Sequence, residues 1–166
     1  MKAPLTLLSL SLLLLFSGCG PSYTVPPGGV GREDYLAGLG RAGLLETEGA
    51  SQWREQARAA LEAPRRVEPP FSGTFQADGR AAAAAEAYLL VPSERQQISV
   101  RVQLEGEGFI FLDLYRLRDG EEEAIFSSNQ GSGEFLARRD RTYILLVQPE
   151  IYGEGTVRVE IQLSER

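Results

Sequence analysis

Histidine is absent from the 166 residues, and cysteine, tryptophan and methionine occur once each. Without an imidazole, Ser-His-Asp and Cys-His catalysis are excluded, as is any zinc site that needs a histidine ligand. One cysteine excludes an internal disulfide and a metal centre built from several thiolates. Lysine is almost missing too: of 17 basic residues, only Lys2 is not arginine. Acidic residues number 23, and the net charge of −6 argues against a nucleic-acid partner, which would require a basic patch to displace counterions. Serine chemistry has no base to serve it, and neither a Gly-x-Ser-x-Gly nor a Ser-x-x-Lys pattern occurs. What is present is 43% hydrophobic residues, enough for a globular core and too many for wholesale disorder.

The first twenty residues read as an address. Met1-Lys2 supplies one positive charge, and Leu5 to Phe16 is an apolar run interrupted only by Thr6, Ser9 and Ser11. Such a run is short for a hydrocarbon layer of about 30 Å and fits the h-region of an export signal. It exits through Phe16-Ser17-Gly18-Cys19. This segment resembles the bacterial lipobox, in which a signal peptidase cuts before a cysteine that carries diacylglycerol. The resemblance implies that residues 1–18 are a lipoprotein signal peptide. Cys19 would then be the lipidation site, its acyl chains (palmitate among them) holding the mature chain to a membrane. Several acyl chains anchor stably where one does not. Gly20 follows the cysteine where sorting rules of diderm bacteria place Asp for retention in the inner membrane. If the organism is diderm, the lack of Asp favours the outer membrane, facing the periplasm, over the inner membrane; in either case a lipid-anchored place in the cell envelope is expected. Loss of residues 1–18 removes Lys2 alone, leaving 16 basic against 23 acidic residues and a net charge of −7.

Residues 19–31 are rich in Gly and Pro after the lipidated position and are expected to form a flexible tether. Residues 32–66 are expected to hold a helical hairpin. Tyr35, Leu36 and Leu39 share a face at helical spacing, and Trp53, Ala57, Ala60 and Leu61 form a second stripe. Gly43 suits the left-handed stop of the first helix. Thr47 suits the N-cap of the second, with Glu48 in its first turn, and Pro64 ends it.

From residue 67 the period changes. Ile98, Val100, Val102 and Leu104 alternate with polar residues, as do Val157, Val159, Ile161 and Leu163. Alternation means one buried and one wetted face. Eight strands are predicted, at about 71–76, 84–91, 96–104, 109–117, 123–128, 133–137, 142–148 and 155–163. Short strands between Gly- and Pro-bearing turns predict a mainly β protein, an eight-stranded antiparallel sandwich over residues 67–166. Phe109 to Tyr115 is apolar on both faces: Ile110, Leu112 and Leu114 suit the interior, which turns Phe111 and Tyr115 outward. Bare outward aromatics need a cover, and the hairpin with Leu36, Leu39 and Trp53 is the expected one.

Three clusters invite a site. Asp119 and Glu121-Glu122-Glu123, with Glu105 and Glu107 in another turn, carry the carboxylates a calcium ion takes. Their spacing fits no EF-hand loop, and a solvated acidic turn is the expected reading. Arg138, Arg139 and Arg141 form one basic knot, read as charge that discourages edge pairing; headgroups or acidic polymers are its other possible contacts. Tyr115, Tyr143 and Tyr152 with Trp53 are the residues a sugar platform would use, although aromatics at this spacing usually pack layers. Ala81 to Ala85 is expected to be a loop leading into a strand. No metal or cofactor is expected.

The order of parts carries a family resemblance. Asp34-Tyr35-Leu36 through Gly43-Leu44, Trp53 to Leu61, Pro70-Phe71-Ser72-Gly73-Thr74-Phe75, Phe111-Leu112-Asp113-Leu114-Tyr115 and Arg141 to Glu150 follow one another before the strand Val157 to Leu163. This series resembles the N-terminal accessory region of exported lysostaphin-type zinc peptidases, which cut peptidoglycan cross-links: a helical pair, then a pre-peptidase-like (jelly-roll) sandwich. The family's zinc ligands include His, and this sequence has none, so no catalytic residue carries over. The resemblance implies a non-enzymatic accessory module in the cell envelope, with a separate peptidoglycan hydrolase or another envelope protein as partner. Direct binding to peptidoglycan or another carbohydrate of the wall is the alternative.

Overall fold

The computed structural model describes residues 23–24, 29–77 and 84–164. Cys19, the signal segment and Ala81 to Ala83 lie outside the described residues. The elements run β1 (Tyr23–Thr24), α1 (Arg32–Arg41), α2 (Glu48–Glu62), β2 (Arg65–Val67), β3 (Phe71–Ala77), β4 (Glu86–Leu90), β5 (Gln96–Glu107), β6 (Ile110–Arg118), β7 (Glu121–Ser128), β8 (Ser132–Ala137), β9 (Thr142–Pro149) and β10 (Glu154–Leu163). Neither helix is long and apolar enough to cross a membrane.

The α1 stop and both limits of α2 lie where the sequence places them. The α1 stop is a Schellman turn: Gly43 sits at φ 71°, Leu44 N–H donates to the Leu39 carbonyl at 2.9 Å, and Gly43 N–H donates to Gly40 at 3.1 Å. Thr47 Oγ1 accepts from Ala50 N–H at 3.3 Å and opens α2.

The strands form two sheets, in the order β1-β8-β5-β10-β3 and β2-β4-β9-β6-β7. All neighbours are antiparallel except β2 and β4, which run parallel. The sandwich interior holds the alternating residues of the first sheet, among them Ile98, Val100, Val102, Val157, Val159 and Ile161. Leu112, Leu114, Leu145 and Val147 meet them from the second. The other face of the second sheet is also covered. Leu39, Ala50 and Trp53 bury Phe111, and Ala57 with Ala60 and Leu61 covers Ile144 and Leu146. The helical hairpin thus packs on the sandwich, on the outward aromatics left by the alternation. It also explains why Ile144 to Val147 is an unbroken apolar run: β9 is buried on both faces.

Two short strands lie beyond the expected eight. Tyr23–Thr24, within the stretch expected to be a tether, pairs with β8. Arg65–Val67 follows Pro64 and lies along β4. Strands this short have no period to reveal them. One close approach also needs glycine at both partners. Gly106 and Gly155 face each other between β5 and β10. A Cβ on Gly106 would lie 1.8 Å from the Glu154 carbonyl oxygen, and Gly155 has φ 133°.

Candidate functional site

Alternation turns Asp113 outward from the sandwich, together with Phe111 and Tyr115. An isolated carboxylate there would be costly to bury, yet Asp113 is 1% exposed. Its partner comes from the other end of the sequence. Arg32, the first residue of α1, lies beneath the hairpin, and its Nε donates to Asp113 Oδ2 at 2.6 Å. Arg32 Nη1 donates to Gln148 Oε1 at 2.6 Å, and the Ser127 hydroxyl donates to the second Asp113 oxygen. Gln148 Nε2 in turn donates to the Trp53 carbonyl at 2.8 Å, and the Trp53 indole N–H donates to the Pro149 carbonyl at 2.7 Å. The guanidinium carbon stands 4.5 Å from the Trp53 ring centre and 5.3 Å from that of Phe111, so the cation also rests on two aromatic faces. One chain of bonds therefore ties α1, α2, β6, β7 and β9 together.

Tyr35 completes this centre. Its ring lies 5.7 Å from Trp53, 5.6 Å from Phe109 and 5.0 Å from Phe111, in edge and tilted arrangements. Beside the ion pair, a cleft of about 410 Å³ opens between α2 and the second sheet, with Leu36, Ala57, Leu61 and Leu146 as its apolar floor and Arg32 and Tyr115 at its walls. The cleft offers apolar contact beside a guanidinium whose bonds go to a carboxylate, an amide and two rings. Arg54, Arg58, Glu62 and Glu122 add charge of both signs to its lining.

Tyr115 responds to this setting. Burial pushes its hydroxyl up to about 12, the nearby Asp113 charge adds to the shift, and Arg32 opposes it. The folded chain therefore keeps this proton above pH 10, where an unfolded tyrosine releases it. The stabilisation is complete below pH 10 and is lost as pH rises through about 12. Two pH units correspond to about 3 kcal/mol. Stability measured by denaturant titration at pH 9, 10, 11 and 12 is expected to fall less steeply in Tyr115→Phe than in the parent. Parallel curves would place the alkaline loss elsewhere.

The clusters singled out in the sequence are placed as follows. Asp119 (φ 54°) and Gly120 (φ 87°) form the tight β6–β7 turn. That turn sets Glu123 opposite Arg116, and the two form an ion pair at 2.5 Å. This pairing holds the exposed Glu123 carboxyl below the usual range. Glu105 pairs with Arg158 at 2.9 Å. Among the described residues no three His, Cys, Asp or Glu side chains converge on a metal position. The aromatic set is scattered. Tyr143 stacks on Phe135 inside the sandwich, Trp53 is buried under the hairpin, and Tyr152 is 62% exposed. They build no platform. Arg138 and Arg139 stand exposed in the β8–β9 turn.

Sequence reasoning passed over Arg32, Asp113 and Gln148. The signal for Asp113 was present: one acidic residue in the outward parity of an otherwise apolar strand requires a cation. Nothing local identifies Arg32 as that cation, because 81 residues separate the two.

No protein-family model matches the chain, and no curated protein matches it. Among solved structures, it is similar to the pre-peptidase C-terminal domain of a collagenase from Bacillus anthracis, at 17% identity over 60% of this chain and 94% of that one, TM-score 0.44. It is similar to PliG of Aeromonas hydrophila, a periplasmic inhibitor of g-type lysozyme, at 16% identity over 60% and 96%, TM-score 0.40. A mitogen derived from Yersinia pseudotuberculosis gives 9% identity over 58% and 85%, TM-score 0.44. These are distant likenesses of sandwich fold, and none is to a lysostaphin-type accessory region.

Proposed function

We propose that this chain is a non-enzymatic lipoprotein of the bacterial cell envelope, whose sandwich serves as a binding or accessory module for a separately encoded peptidoglycan hydrolase. One observation carries the reading: the only cysteine of the sequence stands at Cys19, directly after the apolar leader and two small residues. An unpaired thiol is a liability in an exported protein, and acylation gives it a use. The buried charges support a binding role over catalysis, because Arg32, Asp113 and Gln148 are committed to joining the hairpin to the sheet. The order of a helical pair and a sandwich, without the histidines of a zinc peptidase, supports the accessory assignment.

The test is Cys19→Ser. The parent is expected to take up a labelled fatty acid and to sediment with membranes. The variant is expected to take up none and to accumulate with residues 1–18 attached. A variant that is cleaved and retained on membranes as the parent is would overturn the proposal. Sedimentation of the protein with purified sacculi, in the absence of any hydrolase, would favour direct wall binding over the accessory role.

A further inference from the structure

The pairing of β1 fixes the end of the sandwich from which its N-terminal side departs. β1 runs antiparallel to β8, with Tyr23 opposite Phe135 and Thr24 opposite Glu134. Its upstream end therefore points toward Ala137 and the turn that holds Arg138, Arg139 and Arg141. From Tyr23 back to Cys19 is four residues, a reach of at most about 14 Å. We propose that this end of the sandwich lies against the bilayer, with Arg138 and Arg139 on anionic phospholipid headgroups. The proposal rests on the reading of Cys19 as acylated and deepens it by assigning the protein an orientation.

The register brings other groups to the same end. Gln96 lies opposite Ala137, so the β4–β5 turn with Val91 and Arg95 borders the arginine turn. Leu163 lies opposite Ile98 nearby. Val91 is 40% and Leu163 49% exposed, which suits the interface of a bilayer. Arg95, Arg138 and Arg139 are exposed, and among the described residues none of the three forms an ion pair. Carboxylates at this end include Asp119 and Asp140, which lie 3.8 and 3.6 Å from Arg118 and Arg141, and the exposed Glu121 and Glu122 of the β6–β7 hairpin, opposite Arg118 and Leu117. Glu68 and Glu94 are there too, both exposed.

The opposite end is acidic and, among the described residues, has no turn of unpaired arginines like that of Arg138 and Arg139. Its β5–β6 and β9–β10 turns gather Glu105, Glu107, Glu150 and Glu154. An anionic surface repels that end, and repulsion acts over a Debye length of about 8 Å. Held within a short reach of such a surface, the chain presents the end that bears the exposed, unpaired Arg95, Arg138 and Arg139. Each arginine near the headgroups adds about fivefold to the contact.

The test uses the acylated protein, its acylation confirmed by mass, in vesicles with and without phosphatidylglycerol. Acylation consumes the only native thiol, so Ser93→Cys and Tyr152→Cys each give a unique position for a nitroxide. In phosphatidylglycerol vesicles the label at 93 is expected to be at least threefold less accessible to a water-soluble relaxation agent than the label at 152. High salt or the pair Arg138→Gln, Arg139→Gln is expected to abolish the difference. Equal accessibility, stronger protection at 152, equal protection on phosphatidylcholine alone, or protection that survives in the double variant overturns the orientation and leaves the lipoprotein reading standing. A chain without acyl groups overturns both.

Discussion

Asp113→Ala is expected to lower the free energy of unfolding by about 3–5 kcal/mol, the usual cost of leaving one member of a buried ion pair alone. The geometry makes the loss severe. Arg32 keeps one hydrogen bond, to Gln148, and its charge is left against the rings of Trp53 and Phe111. The Ser127 hydroxyl loses its acceptor as well. Asp113→Asn keeps an acceptor of the same shape and is expected to cost less. Replacing the pair together, as Arg32→Met with Asp113→Leu, is expected to recover part of the loss, since apolar residues of similar volume carry no charge to bury, while Gln148 Oε1 and the Ser127 hydroxyl stay without their partners. Urea unfolding reports all three, with the only tryptophan, Trp53, as a fluorescent probe inside the same centre. A loss under about 1 kcal/mol in Asp113→Ala would mean that water reaches the pair.

Trp53→Ala is expected to cost a similar amount, about 3–5 kcal/mol, through a different route. The indole is fully buried and touches Tyr35 and Phe111 at ring distances below 6 Å. Its removal leaves a cavity between hairpin and sheet and takes the donor from the Pro149 carbonyl. The sandwich interior does not include Trp53, so the damage should be local. Amide exchange in α1 and α2 is expected to accelerate more than in β5 and β10. Trp53→Phe keeps a ring but leaves the carbonyl unpaired, which costs about 1–3 kcal/mol. Exchange that accelerates equally in helices and strands would show hairpin and sandwich to be one cooperative unit.

Strands buried on one face, such as β5 and β10, were legible because each carries its own period. Ile98, Val100 and Val102 alternate over a single buried face, and the structure places them where that alternation requires. Helix limits were legible because Gly43, Thr47 and Pro64 act within a few residues of themselves. Sheet order was not legible, since a period of two states which face is buried and leaves the neighbouring strand open. The same limit hid β1 and β2, which are shorter than one repeat of any pattern. The acidic turn lay between these cases. Asp119-Gly120 is a two-residue hairpin signal, and counting outward from it sets Glu123 opposite Arg116. The Arg32–Asp113 bond depends on where α1 comes to rest, a property of the packed whole.

The position of β10 has a consequence for how the fold is reached. In its sheet the last strand lies between β5 and β3, two strands that end at Glu107 and Ala77. Until residues 154–163 arrive, each of those strands has a bare edge where β10 belongs, and half of the sandwich has no middle. Pairings so distant along a chain form slowly. The first sheet therefore closes only when residues 154–163 pair with both neighbours at once, which makes β10 the keystone of that half of the sandwich.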